Sequence, residues 1–397
     1  MPTPTPRRAP IAGLAAIAVA AALTSCTTVP DEPTSAPPPG ATSTSSASTP
    51  SPSTPSTPSP SAPATPAAPP AAVEVHATGL DAPWSIAFLA APAAPDAPDA
   101  PAQHIALVSE RDSGRVLELA EDGTAREVGV IDGVVHRGEG GLLGIAVDDG
   151  SLYAYLTTAD DNRIVRYDLT GRPGSLALGD AETILAGLPS AANHNGGRIA
   201  FGPDGMLYAT VGDAGDRPAA QDVASLAGKI LRLTPDGAVP DDNPFPGSPV
   251  YSYGHRNPQG LGWDGDGTLY ASEFGQDTWD ELNVIRPGGN YGWPEVEGIA
   301  GRDGYVDPVQ QWAPADASPS GLAIADGAIY VANLRGQRLR VIPLDDLASS
   351  TERLVGEHGR LRDVALAPDG TLWVLTNNTD GRGEPTGDDD RVLRLTP

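Results

Sequence analysis

A motif that recurs five times constrains the fold of this chain more than any other feature. Each copy has an Asp-Gly turn followed by a short strand of alternating apolar residues that ends in Tyr or Trp. The copies are Asp149–Tyr153, Pro203–Tyr208, Asp264–Tyr270, Asp326–Tyr330 and Pro368–Trp373. Asp-Gly between alternating apolar residues predicts a β-hairpin with a type I′ turn, because that turn needs positive φ at both central positions.

The spacing of the copies predicts how many such units the chain contains. The five motifs recur every 43 to 62 residues, and further strands are predicted over 84–89, 105–109 and 116–119. This regularity indicates about six units of four strands each. We therefore predict an all-β fold, a six-bladed β-propeller of four-stranded antiparallel blades, in which radial packing protects most strand edges. A β-sandwich is the competing architecture, and the regular period argues against it.

The first 25 residues have the features of an export signal. Arg7 and Arg8 form a basic start, residues 11–23 are apolar, and the sequence Leu-Thr-Ser-Cys at 23–26 matches a lipobox. An apolar run of 13 residues is too short for a permanent membrane span. We expect a lipoprotein signal peptide over 1–25 with lipidation of Cys26, an ordinary signal peptide being the alternative. Cys26 is the only cysteine, so no disulfide or zinc–thiolate site is expected.

Composition separates the rest of the chain into two parts. Residues 26–70 are nearly all Ser, Thr, Pro and Ala, which cannot bury enough apolar surface to offset the entropy of ordering. They predict a disordered tether. Residues 71–397 are long enough for a large core and form the predicted propeller. Within it, the Ala/Pro/Asp-rich run 90–102 predicts a surface loop.

The charge of the chain excludes some partners. The formal net charge is −26 at pH 7. A surface this acidic repels phosphate backbones and anionic lipid headgroups, so nucleic-acid binding and electrostatic membrane docking are not expected. Solubility alone is enough to explain the charge.

His194 is the strongest candidate for proton transfer. It lies between Asn193 and Asn195, with two glycines after them and no apolar neighbour that would indicate burial. Imidazole is the side chain best suited to accept a proton near neutral pH. An exposed loop histidine is the alternative. Asp213 ends a strand that follows, where it could orient the imidazole, although a turn-capping role fits equally.

Several arginines stand at the ends of predicted strands. Arg256 and Asn257 lie in a loop bounded by Gly and Pro, where a guanidinium could hold a carboxylate or stabilise a developing oxyanion. A structural salt bridge is the alternative for Arg256. Arg335, Arg360 and Arg362 also lie beside strands, and in so acidic a chain this pattern favours a polyanionic ligand.

Residues 272–281 and 288–294 combine carboxylates with glycines whose carbonyls are accessible, the oxygen-rich mixture that hard cations prefer. Calcium is the metal this indicates, although the pattern is not an EF-hand loop. The chain has no Gly-x-Gly-x-x-Gly between strand and helix and no Gly-x-Ser-x-Gly, so neither a nicotinamide or flavin site nor a nucleophile elbow is indicated.

Five segments carry a resemblance to known proteins. They are Gly140–Gly144, His194–Arg198, Gly254–Gly260, Gly288–Pro294 and Leu361–Asp363. Together they resemble the loops of one family, the soluble dehydrogenases for glucose, aldose sugars and sorbosone that depend on pyrroloquinoline quinone (PQQ). The resemblance spans roughly residues 71–397 and comes closest to the aldose sugar branch. That family is a six-bladed propeller, in agreement with the repeat.

The resemblance implies roles for individual residues. His194 matches the general base and Asp213 its supporting carboxylate. The positions matched to PQQ are Arg256, beside the reactive carbonyl, its neighbour Asn257, and the pair Arg360 and Arg362, which contacts the cofactor carboxylates. The positions matched to calcium are the backbone carbonyls of Gly275 and Gln276 at the cofactor ion, and Glu281 and Tyr291 at an additional ion.

Three departures from the glucose-specific members concern the ligand sites. Arg335, which follows Leu334 in a segment matched to the cofactor, stands where those enzymes carry a lysine to the quinone, so the charge is kept with a different geometry. Glu139 replaces a glutamine that lies beside the cofactor near the sugar hydroxyl. Glu297 and Ile299 replace a carbonyl ligand and a tyrosine of the additional calcium site, so we expect the cofactor calcium more strongly than a second ion.

The expected activity is oxidation of an aldose at its C1 hydroxyl, or of a related aldehyde, by hydride transfer to PQQ while His194 takes the proton. The expected partners are the sugar, an unidentified electron acceptor and, through Cys26, a lipid anchor on the outer face of the cytoplasmic membrane. One alternative is a non-catalytic propeller that binds carbohydrate or protein. Another is a propeller lactonase, which the arginines disfavour.

Overall fold

The computed structural model describes residues 73–90 and 104–397, and almost every regular element in them is a β-strand. The first half contains β1 Val73–Ala77, β2 Pro83–Ala90, β3 His104–Glu110, β4 Arg115–Leu119, β5 Ala125–Val130, β6 Leu142–Asp148, β7 Ser151–Thr157, β8 Asn162–Thr170, β9 Ala177–Leu188, β10 Ile199–Phe201, β11 Leu207–Val211 and β12 Lys229–Leu233. The second half contains β13 Val250–Tyr253, β14 Pro258–Trp263, β15 Leu269–Glu273, β16 Asp280–Ile285, β17 Gln310–Trp312, β18 Pro319–Ala325, β19 Ala328–Asn333, β20 Arg338–Pro343, β21 Thr351–Arg353, β22 Leu361–Leu366, β23 Leu372–Thr376 and β24 Val392–Leu395. One 3₁₀-helix, Arg217–Gln221, lies between β11 and β12.

These strands form six four-stranded antiparallel sheets, the blades of a propeller. Blades 1 to 5 are β2–β5, β6–β9, β10–β13, β14–β17 and β18–β21, each with strands in sequence order. Blade 6 has the order β1-β24-β23-β22, so the N-terminal strand supplies its outer edge. Pairing the two ends of the chain in one sheet closes the ring. The predicted six-bladed propeller is confirmed.

The repeated motif forms the hairpin between the first two strands of blades 2 to 6. Its terminal aromatic residue packs between blades. Tyr153 makes an edge contact with Phe201 of the next blade at 5.0 Å between ring centroids, and Trp373 makes one with Phe88 of blade 1 at 5.4 Å. The repeat therefore encodes the contacts between blades as well as the turns.

The type I′ prediction is right for two of the five hairpins. Asp149 and Gly150 have φ of 42° and 73°, and Asp326 and Gly327 have 46° and 74°. In the other three copies only the glycine has positive φ among the Asp-Gly residues, as at Gly205 with 72°. These hairpins have longer loops, in which a single left-handed residue suffices to reverse the chain.

Arg198 joins opposite blades through contacts near the propeller axis. Arg198, beside the first strand of blade 3, places Nη1 2.9 Å from Oδ2 of Asp363 in blade 6 and donates through Nε to the carbonyl of Gln259 in blade 4 at 2.9 Å. Its guanidinium also lies 4.3 Å from the ring centroid of Trp84 in blade 1. This buried network therefore links four of the six blades through one side chain.

Some predictions fall outside the described residues. The signal peptide over 1–25, Cys26, the tether over 26–70 and nearly all of the predicted loop 90–102 lie there. Within the described residues, no helix is long and apolar enough to cross a membrane.

Candidate active site

The candidate residues gather at one end of the propeller because of how its strands alternate. In an up-and-down blade, the connection to the next blade and the connection between the second and third strands open on the same face. The first kind of connection carries Glu139, His194, Arg256 and Arg360, and the second carries Asp213, Gly275, Gln276 and Arg335. The topology thus brings together residues far apart in the sequence.

His194 and Asp213 form a buried pair. Nδ1 of His194 lies 2.6 Å from Oδ1 of Asp213, and the indole N–H of Trp293 donates to Oδ2 of the same carboxylate at 2.8 Å. An ionised carboxylate only accepts hydrogen bonds, so the imidazole carries its hydrogen on Nδ1. Nε2 is then left with the lone pair, and the amide of Asn193 lies 3.3 Å from it.

Burial of Asp213 raises the pKa of its carboxyl, but hydrogen bonds from His194, Gly215 and Trp293 outweigh burial and lower the pKa below its usual value. The carboxylate is therefore ionised at neutral pH. Asp213 Oδ1 also accepts the backbone N–H of Gly215 at 2.8 Å. Its contacts are compatible with both roles that the sequence allowed, capping of a turn and orientation of the imidazole.

The backbone holds His194 in a conformation that side-chain-bearing residues rarely adopt. Its φ is +58°, and its N–H donates to Oε2 of Glu139 at 2.9 Å. Gly212 passes so close that a Cβ there would lie 2.0 Å from the His194 carbonyl oxygen. The alternative of an exposed loop histidine is wrong, because only 9 % of His194 is exposed. The residues next to His194 in the sequence did not indicate that it is buried, because the groups that cover it belong to other blades.

Arg256 contacts the loop that follows β15 and makes no ion pair with the described residues, so the salt-bridge alternative is wrong. Its Nη2 donates to Oε1 of Gln276 at 2.9 Å and its Nη1 to the carbonyl of Phe274 at 3.2 Å. Asn257 is fully buried and accepts the backbone N–H of Gly196 at 2.9 Å. It therefore fastens the loop that carries His194.

A cluster of arginines surrounds one buried carboxylate, Asp380. The distances from Asp380 Oδ2 are 3.2 Å to Arg360, 3.9 Å to Arg382 and 4.0 Å to Arg111. Burial raises the pKa of Asp380, but the arginines more than offset this and lower it. Arg111 also pairs with Asp112, and Arg382 lies 3.6 Å from Glu139, so positive charge exceeds negative charge only when the nearby Arg362 is counted with the cluster. Four guanidinium groups beside three carboxylates suit an anionic ligand.

Arg362 lies deeper, near the axis. It is 3 % exposed and donates to Gln259 at 2.8 Å and to Asn377 at 3.2 Å. Burial lowers the pKa of its guanidinium to about 9. An anion next to Arg362 would reverse that shift, because it would stabilise the charged form.

The loop after β15 offers the backbone oxygens that a calcium ion prefers. Within the described part of the chain, the carbonyls of Gly275 and Gln276 accept no hydrogen bond. Free carbonyls next to an arginine fit a hard cation bound together with an anion. The described residues contain no cluster of three or more His, Cys, Asp or Glu side chains arranged for a metal. Any ion here would need carbonyl and ligand oxygens.

Glu281 and Tyr291 line a small cavity that also borders Glu273 and Glu297. Burial, followed by the charge of Glu273, raises the pKa of Glu281 to about 8. The phenol of Tyr291 donates to the carbonyl of Val284 at 2.7 Å and accepts the N–H of Arg286 at 2.8 Å, so its backbone oxygen is the atom better placed to bind an ion. Both carboxyl oxygens of Glu281 also accept hydrogen bonds, from Gly298 and Asn283, so this cavity offers a second cation fewer protein oxygens than calcium normally takes.

Comparison with known proteins decides the family. A family model described as Glucose / Sorbosone dehydrogenase matches residues 80–386. The chain belongs to the glucose/sorbosone dehydrogenase family. It is an oxidoreductase by that membership, as the resemblance in its loops predicted.

Three relatives illustrate the similarity. The aldose sugar dehydrogenase of Streptomyces coelicolor, solved in a PQQ-bound form, is 52% identical, with 83% of this chain and 99% of that chain covered and a TM-score of 0.75. A putative glucose dehydrogenase from Thermus thermophilus is 42% identical, with 82% and 99% covered and a TM-score of 0.73. Aldose sugar dehydrogenase YliI of Escherichia coli is 30% identical over 78% of this chain and 91% of that protein.

The structure of this glucose/sorbosone dehydrogenase family member separates the predicted residues into those that converge and those that do not. His194, Asp213 and Glu139 meet directly, and Arg256 meets Gln276. Leu334 is 2 % exposed, whereas Arg335 is exposed and has no ion pair or side-chain hydrogen bond among the described residues. Arg335 is thus free to contact a ligand.

Sequence reasoning missed four residues of the site. Trp293 lies in the segment Gly288–Pro294, but its bond to Asp213 spans 80 positions, so its role in the site was not predicted. Asp380, Arg382 and Arg111 lie in connections between the second and third strands of blades 6 and 1. Their position in such a connection is the only signal in the sequence that could have indicated them. It becomes informative only once it is known which end of the blades holds the site.

Proposed function

We propose that this chain oxidises aldose sugars at the C1 hydroxyl to the lactone, or related aldehydes, with PQQ and calcium as cofactors. The observation that carries the proposal is the buried pair of His194 and Asp213, 2.6 Å apart, at the propeller end that also holds the arginine cluster. The similarity to a PQQ-bound aldose sugar dehydrogenase supports the choice of cofactor and substrate class.

His194 is the proposed general base. Its Nδ1–H is held by Asp213, so the lone pair on Nε2 can accept the proton of the sugar hydroxyl. The imidazole becomes positively charged when it does so, and the ionised Asp213 stabilises that charge. Trp293 keeps the carboxylate oriented through the opposite oxygen. These residues therefore supply a base that is oriented before the substrate arrives.

The arginine cluster is the proposed site for the cofactor carboxylates. Arg360 and Arg362 would each meet a carboxylate, and Asn257 and the segment Leu334–Arg335 would contact the cofactor as well. When bound, PQQ supplies the two-electron acceptor that takes the hydride from C1. Glu139 lies beside the base and would contact a sugar hydroxyl, with Arg382 3.6 Å from its carboxylate.

The carbonyls of Gly275 and Gln276 are the proposed ligands of the cofactor calcium, with Glu281 and the Tyr291 carbonyl at an additional site. When bound, calcium supplies positive charge that favours negative charge on a nearby oxygen. Arg256, which Gln276 holds in place, would add a second positive charge next to that oxygen.

The proposed location follows from the N-terminal sequence. Residues 1–25 would direct export, Cys26 would carry the lipid, and residues 26–70 would connect the propeller, residues 71–397, to the outer face of the cytoplasmic membrane. Electrons would pass from the reduced cofactor to a periplasmic-type or membrane acceptor.

The test is reduction of an artificial dye by the purified chain, supplied with PQQ and calcium, on addition of an aldose. We expect dye reduction that needs both cofactors and the sugar. Omission of calcium, omission of PQQ and replacement of the aldose by the corresponding alditol serve as controls. Absence of PQQ binding would instead favour the alternative of a non-catalytic propeller that binds carbohydrate or protein.

A further inference from the structure

One carboxylate oxygen organises the loop that carries the predicted calcium carbonyls. Oε1 of Glu297, in the segment between β16 and β17, accepts three backbone N–H groups. The donors are Gln276 at 2.7 Å, Trp279 at 3.0 Å and Thr278 at 3.1 Å. We propose that Glu297 is a positioning residue that aims the Gly275 carbonyl at the cofactor calcium. This inference rests on the function proposed above.

The geometry of the peptide bond links Glu297 to the Gly275 carbonyl. The carbonyl of Gly275 and the N–H of Gln276 belong to the same peptide unit, and in a trans peptide they point in opposite directions. Because Glu297 holds that N–H, the Gly275 oxygen must point away from Glu297. It accepts no hydrogen bond within the described residues, so its lone pairs are free to bind a cation.

The peptide before Gly275 is held as well. Its N–H donates to Oδ1 of Asp280 at 2.8 Å, and its carbonyl, that of Phe274, accepts from Arg256 at 3.2 Å. Gly275 itself cannot carry a side chain, since a Cβ would lie 1.7 Å from the Trp279 carbonyl oxygen. Glycine leaves the flanking peptides free to rotate, so their directions must be fixed by outside contacts.

The chemistry of the acceptor explains why a carboxylate stands at this position. Three N–H groups converge on a single oxygen, and a charged oxygen makes stronger hydrogen bonds than a neutral one. A glutamine would keep an oxygen acceptor without the charge, whereas an alanine would leave all three donors without a partner. These two substitutions therefore separate the acceptor from the charge.

The first test measures the loop without any cofactor. Hydrogen–deuterium exchange of the amides at 276–279 is compared in the wild-type chain, Glu297→Ala, Glu297→Gln and the control Asp307→Asn. Asp307 also accepts backbone N–H groups, from Ala300 and Gly301, but does not contact the loop. We expect exchange at least about tenfold faster in Glu297→Ala only. Unchanged exchange in that variant would overturn the proposal.

The second test measures calcium affinity. Calcium chloride is titrated into each PQQ-loaded chain, and the change in PQQ absorbance is followed. Contacts that orient metal ligands typically alter affinity about 10- to 100-fold, so we expect that loss in Glu297→Ala, with most of the affinity kept in Glu297→Gln and in the control. Equal losses in the Ala and Gln variants would overturn positioning in favour of simple charge attraction.

The outcomes also distinguish this inference from the proposed function. A wild-type chain that takes up PQQ and calcium while Glu297→Ala binds calcium equally well refutes the role of Glu297 alone. A wild-type chain that takes up no calcium refutes the proposed function, and the role of Glu297 in it as well.

Discussion

Trp293 donates its indole N–H to Oδ2 of Asp213 at 2.8 Å, and this bond joins two blades at the candidate base. Asp213 follows the second strand of blade 3, whereas Trp293 lies in the long connection of blade 4. The other oxygen of the carboxylate faces His194. Both oxygens are therefore used, which fixes the plane of the carboxylate and with it the ring of the histidine.

Trp293→Phe tests this relationship. The substitution keeps an aromatic ring but removes the N–H donor, so the pKa of Asp213 should rise and the imidazole should lose its fixed orientation. We expect turnover to fall about tenfold, with PQQ binding retained and the acid side of the pH–rate profile displaced. An unchanged pH profile together with unchanged turnover would contradict a role for this bond.

His194→Gln tests the base itself. Glutamine can still accept a hydrogen bond but cannot take up a proton near neutral pH, so turnover should fall about 10²- to 10⁴-fold while PQQ affinity stays close to that of the wild-type chain. The measurements are dye-coupled turnover and PQQ titration. Turnover equal to that of the wild type would remove the assigned role.

Arg198→Met tests the network on the propeller axis. It leaves Asp363 buried without its cation, and breaking a buried pair in this way typically costs about 3–5 kcal/mol of unfolding free energy. The control is Arg394→Met, because Arg394 pairs with Asp369 at the surface, where such pairs contribute about 1 kcal/mol or less. Denaturant unfolding measures both, and similar small losses would show that the axis network is not structural.

Lys229 is the only lysine in the chain, and it is fully buried. Its ammonium donates to the carbonyls of Ala219, Ala220 and Ala227 at 2.6–3.0 Å. Lys229→Met leaves these oxygens without a donor, so we expect a loss of at least about 2 kcal/mol of unfolding free energy at neutral pH. In the wild-type chain this lysine should also resist amine-reactive reagents until the protein unfolds.

The pH dependence gives a second measure of Lys229. Burial lowers its pKa from 10.5 to about 8. Between these values the unfolded chain binds a proton that the folded chain lacks, so this group makes the folded state more stable as the pH rises from 8 to 10.5. The Met variant lacks this contribution, and the gap in unfolding free energy should widen across that range. Parallel pH curves would contradict the shift.

The fold could be predicted because the sequence signals that specify it are local. The alternation of apolar residues and the Asp-Gly turns are properties of a few neighbouring residues, and both repeat with each blade. They were enough to predict six four-stranded blades, all confirmed. Even here the turn type depended on loop length, which is why Asp204 differs from Asp149.

The candidate site could be predicted only in part. The loops of His194 and Arg256 are recognisable because glycines surround polar residues in them, and Asp213 is a candidate because it ends the strand that follows His194. Their assigned roles stay predictions. The sequence could not show that His194 is buried, or that Glu139 holds its backbone, because these contacts join residues 55 positions apart.

The sequence by itself determined the number and type of blades, the family, and which loops are rich in polar groups. Only the tertiary structure decided which polar groups meet: Trp293 with Asp213, Glu297 with the loop at 276–279, and three arginines with Asp380. The physical reason is the range of the interactions. Hairpins form from neighbouring residues, whereas contacts at the centre of a propeller exist only after the ring has closed.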